Sequence, residues 1–214
     1  MMKIALIGAT GFVGQEILKE AVSRGDSVTA LVRNPDKVEK LAGVTAIEAD
    51  ALNTADLASK LKGHDIVVSA YNPGWGNPDI KAIHIAASKS IAEATKQAGV
   101  GRLIVIGGAG SLYAPDGSQF VDGEGFPAEY KEGALGARQA LNDLRGETEL
   151  DWSFVSPPFH LAPGPRTGNY RLGKDNPVFD AEGNSAISAS DLAVAIMDEA
   201  NTPKHAKQRF TVGY

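Results

Sequence analysis

Three glycines, Gly8, Gly11 and Gly14, recur at three-residue spacing directly after the apolar run 3–7. In a strand–turn–helix unit, the first glycine permits a tight turn, the second lets the backbone approach phosphate oxygens, and the third lets the helix pack closely on the strand. The start of the helix adds free N–H groups and the positive end of a dipole. We therefore predict that a dinucleotide pyrophosphate binds to this turn, at Gly8, Thr10, Gly11, Phe12 and Val13.

A single arginine, Arg33, ends the second apolar run of the chain, 27–33. In a dinucleotide-binding fold this position faces the adenosine ribose, where an acidic residue would accept hydrogen bonds from both ribose hydroxyls of NAD. An arginine pairs instead with the 2′-phosphate of NADP, so the sequence favours NADP(H) over NAD(H). The competing interpretations are a solvated surface arginine and a ribose contact from Asp36, which lies three residues further on, beyond Pro35.

Three further candidate cofactor residues lie at the ends of later predicted strands. Asp50 ends the third strand and is expected to accept a hydrogen bond from the adenine amino group, with helix capping or a loop role as the alternative. Ser69 and Ala70 end the fourth strand, where small residues would let the backbone lie against the cofactor.

The Tyr-x-x-x-Lys pair with which short-chain dehydrogenases reduce carbonyls is missing from the helix where it belongs. In that pair the lysine lowers the pKa of the tyrosine, so that the tyrosine can donate a proton. The expected helix carries Tyr130, but Ala134 stands four residues later. Tyr170 and Lys174 do have the spacing, yet they follow a proline-rich loop, and we interpret that match as a coincidence. Carbonyl reduction through a tyrosine acid therefore loses support.

Reduction of a flavin or a quinone needs no such acid, because the hydride enters a conjugated ring and solvent can supply the proton. Ser111, past the glycine-rich end of the fifth strand, and His160, after the sixth, are the polar residues expected to reach the reacting rings. The alternatives are an ordinary turn serine and a solvated loop histidine. The predicted partner is thus a small-molecule acceptor, with Ser111 and His160 as candidate catalytic residues.

The elements that would position these residues alternate between strand and helix. Strands are predicted at 3–7, 27–33, 44–50, 65–70, 102–106, 150–155 and 209–212. Helices are predicted at 15–24, from 53 or 54 to 61, before 99, at 127–144, and from 188 or 190 to about 200. The segment 114–125 is predicted to be a mobile loop, and the proline-rich segment 157–170 a loop of fixed shape.

This alternation predicts an α/β fold, a Rossmann-like, doubly wound parallel sheet with right-handed crossovers. We expect a single NAD(P)-binding domain over residues 1–214, with a small C-terminal substrate lobe. Such sheets bind their ligands beyond the carboxyl ends of the strands, which is where the candidate residues lie.

Composition excludes several other kinds of site. The chain contains no cysteine, which excludes thiolate zinc sites and cysteine nucleophiles, and its four histidines have no metal-ligand spacing. The net charge of −5 argues against nucleic-acid binding. No apolar run reaches the roughly 18 residues of a membrane span, and the N-terminus lacks signal-peptide features. We therefore expect a cytoplasmic protein, monomeric or homodimeric, without nucleic-acid or membrane partners.

Several segments match a known family: 3–14, 31–33, Asp50, 127–130, 150–154, 166–170 and 208–212. Through them nearly the whole chain resembles the atypical short-chain dehydrogenase/reductase family of NAD(P)H-binding proteins. That family includes flavin reductase (biliverdin-IX-beta reductase), NmrA-like regulators, and bacterial members called NADH-flavin reductase or NAD-dependent epimerase/dehydratase. In the flavin reductase, a serine after the fifth strand and a histidine after the sixth flank the substrate, and the resemblance implies that Ser111 and His160 are their counterparts. Phe159 interrupts the Pro-Pro-His pattern of that enzyme.

The predicted function is an NAD(P)H-dependent oxidoreductase that passes hydride to a flavin, a quinone or a similar flat acceptor. A non-catalytic, NADP-binding redox sensor of the NmrA-like kind is the first alternative, since the missing tyrosine–lysine pair suits it equally well. An NAD-dependent epimerase or dehydratase is the second alternative, although its substrate lobe usually needs more chain.

Overall fold

The computed structural model describes all 214 residues, Met1–Tyr214. Its strands are β1 Lys3–Ile7, β2 Ser27–Val32, β3 Val44–Glu48, β4 Ile66–Ser69, β5 Arg102–Ile106, β6 Asp151–Ser156, β7 His160–Ala162, β8 Arg171–Gly173, β9 Ala186–Ser188 and β10 Gln208–Gly213. Its helices are α1 Phe12–Ser23, α2 Thr54–Leu61, α3 Ile80–Gln97, α4 Ala128–Arg145 and α5 Ala189–Asn201. None of these helices combines the length and the apolarity needed to cross a membrane.

Eight strands form one sheet in the order β3-β2-β1-β4-β5-β6-β10-β8. Neighbouring strands are parallel except for β10 and β8, which pair antiparallel. The chain builds the sheet from β1 to one side through β3, then returns to β4 and continues to the other side. This doubly wound arrangement confirms the predicted Rossmann-like α/β fold and opens a crevice above the carboxyl ends of β1 and β4.

Side chains that alternate along the strands enter two separate cores. In β1, Ile4 and Leu6 belong to the core that α1 and α5 cover, whereas Ala5 and Ile7 belong to the core that α2, α3 and α4 cover. All four side chains are at most 3 % exposed. A strand that is buried on both faces reads in the sequence as a continuous apolar run, which explains why the inner strands were predictable.

The glycine-rich turn is shaped by contact between β1, β4 and α1. Gly8 has a φ of +82°, and a Cβ there would lie 2.6 Å from the carbonyl oxygen of Ala70. A Cβ at Gly14 would lie 2.0 Å from the carbonyl oxygen of Gly8. Packing alone therefore requires both glycines. Helix α1 begins at Phe12, three residues earlier than predicted, because Gly11 is its N-cap.

The C-terminal part contains three short strands that the sequence did not reveal. Strands β7 and β9 pair in parallel as a separate two-stranded sheet, and β8 joins the edge of the main sheet. Each has three residues, too few to display an alternating pattern, and proline and glycine interrupt the surrounding sequence. With their loops they form the small C-terminal lobe.

The segment 114–125 is anchored, contrary to the prediction of a mobile loop. Val121 is fully buried within a short 3-10 turn, and Arg138 of α4 donates hydrogen bonds to Gln119 at 3.0 Å and to Asp122 at 2.7 Å. The Gly, Asp and Pro content of this segment shows that it turns, but the sequence does not show which helix holds it.

Candidate functional site

A cleft of about 760 Å³ opens at the carboxyl ends of β1, β2, β3 and β4. Predicted cofactor residues line it: Gly8, Thr10, Gly11, Arg33, Asp50 and Ala70. The cleft lies where the strand order reverses, which is the position at which doubly wound sheets bind nucleotides. Its volume falls within the roughly 300–1,000 Å³ typical of small-molecule sites.

Gly11, the N-cap of α1, lines this cleft, whereas Phe12 and Val13, the other residues predicted to hold the pyrophosphate, are not among its lining residues. No side chain caps the helix, and its first turn contains no acidic residue. The backbone N–H groups of Phe12, Val13 and Gly14 find no acceptor within the chain. Helices α2 and α5 differ, since the side chains of Asn53 and Ser188 cap them. Unpaired donors and an unopposed dipole make the start of α1 suitable for an anion.

Gly11 is the glycine of the turn at which an added Cβ meets the least obstruction. Its φ is −76°, which any residue can adopt, and a Cβ there would lie 3.3 Å from the carbonyl oxygen of Gly8, a tight contact but not an overlap. Gly11 lines the cleft and directly precedes the residues with the unpaired N–H groups. The residues of the turn thus fit the pyrophosphate of a dinucleotide.

Arg33 lies exposed on the wall of the cleft, and its guanidinium makes no ion pair or hydrogen bond within the protein. It stands close to Tyr71: burial raises the pKa of the Tyr71 hydroxyl, the positive charge of Arg33 opposes that rise, and the negative charge of Asp50 adds to it. Asp36, the competing candidate, does not line the cleft, and its N–H donates to the side chain of Asn34 at 3.1 Å.

The adjoining wall contains charged side chains, two of which, Asp56 and Lys60, were not predicted from the sequence to line the cleft. One oxygen of the Asp50 carboxylate accepts a hydrogen bond from the Leu52 N–H at 2.9 Å, so this side chain also holds its own loop. Lys60 of α2 lines the cleft and donates to the carbonyl of Glu48 at 2.8 Å and to Asp56 at 2.5 Å. Asp56 and Lys60 have the spacing of an ordinary helical ion pair, so nothing in the sequence singles them out.

Ser69 does not line the cleft. It lines a second cavity of about 300 Å³ between α3 and α4, whereas Ala70 lines the cleft. Ser69 shares the face of Val67, which belongs to the core that α2, α3 and α4 cover. That the small residues at this strand end let the backbone lie against a cofactor stays a prediction.

Neither Ser111 nor His160 lines the cleft. Ser111 is 2 % exposed, and its hydroxyl accepts a hydrogen bond from Nη1 of Arg209 at 3.2 Å. His160 is exposed at the start of β7, where its backbone N–H donates to the carbonyl of Ser185 at 2.9 Å and its imidazole has no partner. Ser111 is therefore part of a buried contact, and His160 is a surface group.

Three aromatic rings, two exposed and one half-buried, cluster beyond the ends of β5 and β6, next to His160. The ring of Phe159 meets that of Phe120 edge-on at 4.7 Å and lies 6.4 Å from that of Phe179. Phe159 is 38 % exposed and Phe179 46 %. We call these three residues the phenylalanine cluster. Such a surface can stack against a flat ring or against a partner protein.

The two candidate tyrosines lie in different surroundings. Tyr130 is exposed and packs edge-on against Trp75, with 5.1 Å between the ring centroids. The hydroxyl of Tyr170 donates to Asp198 at 2.5 Å, and burial, together with this carboxylate, raises the pKa of Tyr170 far above its usual value. A catalytic tyrosine needs the opposite shift, which supports our interpretation of the Tyr170–Lys174 spacing as a coincidence.

The family model described as NAD(P)H-binding matches residues 8–203 of this chain. A Burkholderia pseudomallei structure, provisionally named an exported protein, is 43 % identical with a TM-score of 0.89, and the match covers 100 % of both chains. A Bacteroides thetaiotaomicron protein, provisionally named an epimerase, is 42 % identical with a TM-score of 0.93, covering 100 % of this chain and 97 % of that one. A Streptococcus pneumoniae protein, provisionally named an NADH-flavin reductase, is 34 % identical with a TM-score of 0.88, covering 100 % and 99 %.

These names differ although the folds agree, so the activity has to be argued from the site. The cytoplasmic location stays a prediction from the sequence, and one relative carries the name of an exported protein.

Proposed function

The chain belongs to the NAD(P)H-binding family, and we propose that it is an oxidoreductase that uses NADP(H) to reduce a flat acceptor of the flavin or quinone type. The observation that carries the cofactor part of this proposal is the cleft, which is lined both by Gly11, directly before the unpaired N–H groups of α1, and by Arg33, whose guanidinium has no partner in the protein. A dinucleotide with an additional phosphate matches both groups.

The chain's own residues would bind the cofactor from one end to the other. Phe12 and Val13 would hold the pyrophosphate with their unpaired backbone N–H groups, and Gly11, whose own N–H donates to the Gly8 carbonyl at 3.0 Å, would let the pyrophosphate approach because it has no side chain. Arg33 would pair with the 2′-phosphate, and the free oxygen of Asp50 would accept a hydrogen bond from the adenine amino group. This order follows the sheet, since β2 and β3 lie on one side of β1, and β4 and β5 on the other.

The reduced nicotinamide, when bound, supplies the hydride. At that end of the site the partly exposed Gly107 and Gly108 follow β5, and a Cβ at Gly107 would overlap the ring of Phe154. Ser111 would order the turn that follows, and the backbone of this turn would lie against the ring.

The phenylalanine cluster lies beyond the ends of β5 and β6, the strands that come next after β4, and it supports a flat acceptor. Phe159 and Phe179 would cover one face of the acceptor ring, and His160 would orient it with a nitrogen that has no partner in the protein. With no tyrosine acid available, solvent would supply the proton that accompanies the hydride.

A redox sensor that binds NADP and signals to a protein partner is the second candidate. The exposed phenylalanine cluster favours it equally, because a partner protein could cover the same apolar surface. The two candidates differ in whether NADPH is consumed.

Replacement of Phe159 by alanine tests the acceptor site. We expect Phe159→Ala to raise the KM for a flavin or quinone about tenfold, the worth of roughly 1.4 kcal/mol of stacking, while the Kd for NADPH stays unchanged. Tyr130→Ala is the matched control, since Tyr130 is an equally exposed aromatic residue on α4. An unchanged KM in Phe159→Ala, or an equal rise in both variants, would remove the phenylalanine cluster from the acceptor site.

A further inference from the structure

Arg209 of β10 has a buried guanidinium, with only 2 % of the side chain exposed. Its Nε and Nη2 donate to one carboxylate oxygen of Asp175 at 2.8 and 2.7 Å. Its Nη1 and Nη2 both donate to the carbonyl of Ser111 at 3.3 Å, and Nη1 also approaches the hydroxyls of Ser111 at 3.2 Å and Ser156 at 3.3 Å. The five N–H groups of a guanidinium thus have enough acceptors.

These bonds join two segments that are remote in the sequence. Ser111 lies on the turn after β5, and Asp175 lies on the segment after β8. The two segments also bond directly, since the N–H of Tyr113 donates to the carbonyl of Asp175 at 2.8 Å, and the side chain of Asn176 donates to the carbonyl of Tyr113 at 3.0 Å. Arg209 therefore closes the C-terminal lobe onto the turn after β5.

The turn that Arg209 holds lies on the route of a bound cofactor. The cleft extends past the end of β4, where Ala70 and Tyr71 line it, and β5 is the next strand of the sheet. A dinucleotide with its pyrophosphate at α1 and its adenosine above β2 and β3 would extend its nicotinamide towards the ends of β4 and β5. Only Gly107–Gly110, which have almost no side chains, separate β5 from Ser111.

We propose that Arg209 is a positioning residue for the nicotinamide end of the cofactor. It acts without touching the cofactor, because its bonds to Ser111 fix the backbone of the turn on which the nicotinamide lies. This inference rests on the proposed cofactor site but not on turnover. It also gives Ser111 its role, as an acceptor that ties the turn to Arg209.

An arginine suits this position better than a lysine. A planar guanidinium can bond at one edge to Asp175 and at the other to Ser111, whereas the single nitrogen of a lysine cannot reach both at once. The side chain of Asp175 is 52 % exposed even with Arg209 in place. Removal of the guanidinium therefore leaves a hydrated carboxylate and not a buried charge. Arg209→Met is therefore expected to fold, which circular dichroism and a thermal melt can check.

Comparing the affinities for two ligands distinguishes an effect at the nicotinamide end from an effect on the rest of the site. NADPH carries the nicotinamide, and 2′-phospho-ADP-ribose has the same adenosine, 2′-phosphate and pyrophosphate without it. We expect Arg209→Met to lower the affinity for NADPH about tenfold, towards that for 2′-phospho-ADP-ribose, and to leave the affinity for 2′-phospho-ADP-ribose unchanged. Arg33→Ala is the matched comparison, and it should lower the affinities for both ligands by the same factor.

The outcomes distinguish this inference from the cofactor proposal. A wild-type protein that binds neither ligand would refute the cofactor site itself. Wild-type binding of both ligands, with equal losses or no loss in Arg209→Met, would refute the positioning role, because a purely structural arginine would not affect the nicotinamide selectively. If Arg209→Met does not fold, Arg209→Lys decides, since it keeps the charge beside Asp175 and should show the same selective loss of NADPH affinity.

Discussion

The replacement of Arg33 by alanine tests which dinucleotide the cleft selects. Arg33 is exposed and has no partner within the protein, so its truncation breaks no internal bond and should leave stability unchanged. A hydrogen bond to a charged group contributes roughly 1.5–3 kcal/mol. Screening by solvent at an exposed position places Arg33 near the lower end, which corresponds to about a tenfold weaker binding of NADPH. NADH has no 2′-phosphate, and its affinity should stay the same.

Titration of the nicotinamide fluorescence with each cofactor, at low and at moderate ionic strength, measures this difference. The preference for NADPH should shrink as salt is added, since the contact is between exposed charges. Lys37→Ala is a suitable control, because Lys37 is a neighbouring cation that does not line the cleft. Equal losses of NADPH and NADH affinity in Arg33→Ala, or the same loss in Lys37→Ala, would refute the assignment of the 2′-phosphate to Arg33.

Two further predictions concern the turn and the core. Gly11→Val should abolish cofactor binding in a folded protein, because Gly11 lines the cleft. Gly14→Ala should instead destabilise the fold, because its Cβ would lie 2.0 Å from the carbonyl oxygen of Gly8. Titration calorimetry and thermal melts separate the two effects, and cofactor binding by Gly11→Val would contradict the pyrophosphate site. Burial lowers the pKa of His84 from 6.5 to about 4, so the unfolded chain binds a proton first as the pH falls through this window. The free energy of unfolding should therefore fall by up to about 3 kcal/mol as the pH drops from 6.5 to 4. His84→Leu should lose this part of the pH dependence, as measured by urea unfolding at several pH values. An unaltered pH dependence in His84→Leu would contradict the role of His84.

The inner strands and the glycine-rich turn could be predicted because their sequence signals are local. A strand covered on both faces is almost continuously apolar, as Ile66–Ser69 shows, and the three glycines of the turn recur within seven residues, although a Cβ at Gly8 would overlap Ala70, which is remote in the sequence. The short strands β7, β8 and β9 depend instead on pairing with remote partners, which the sequence does not display.

The candidate site was predictable only where residues directly follow a strand. Arg33 and Asp50 line the cleft as expected, but Ser69 lines a second cavity between α3 and α4. Arg209 stands in an alternating strand, on the face opposite Phe210, where the pattern suggests solvent. That face is covered by the turn after β5 and by the C-terminal lobe, and irregular segments leave no periodic signal in the sequence.

Consumption of NADPH in the reduction of a flat acceptor is tested most directly by mixing the protein anaerobically with NADPH and, separately, with NADH. FMN, FAD, riboflavin and several quinones are then added in turn while the near-ultraviolet absorbance of the reduced nicotinamide is followed. The account predicts oxidation of NADPH, faster than that of NADH, with at least one of these acceptors. Tight binding of NADPH without oxidation by any of them would contradict the oxidoreductase and favour the sensor.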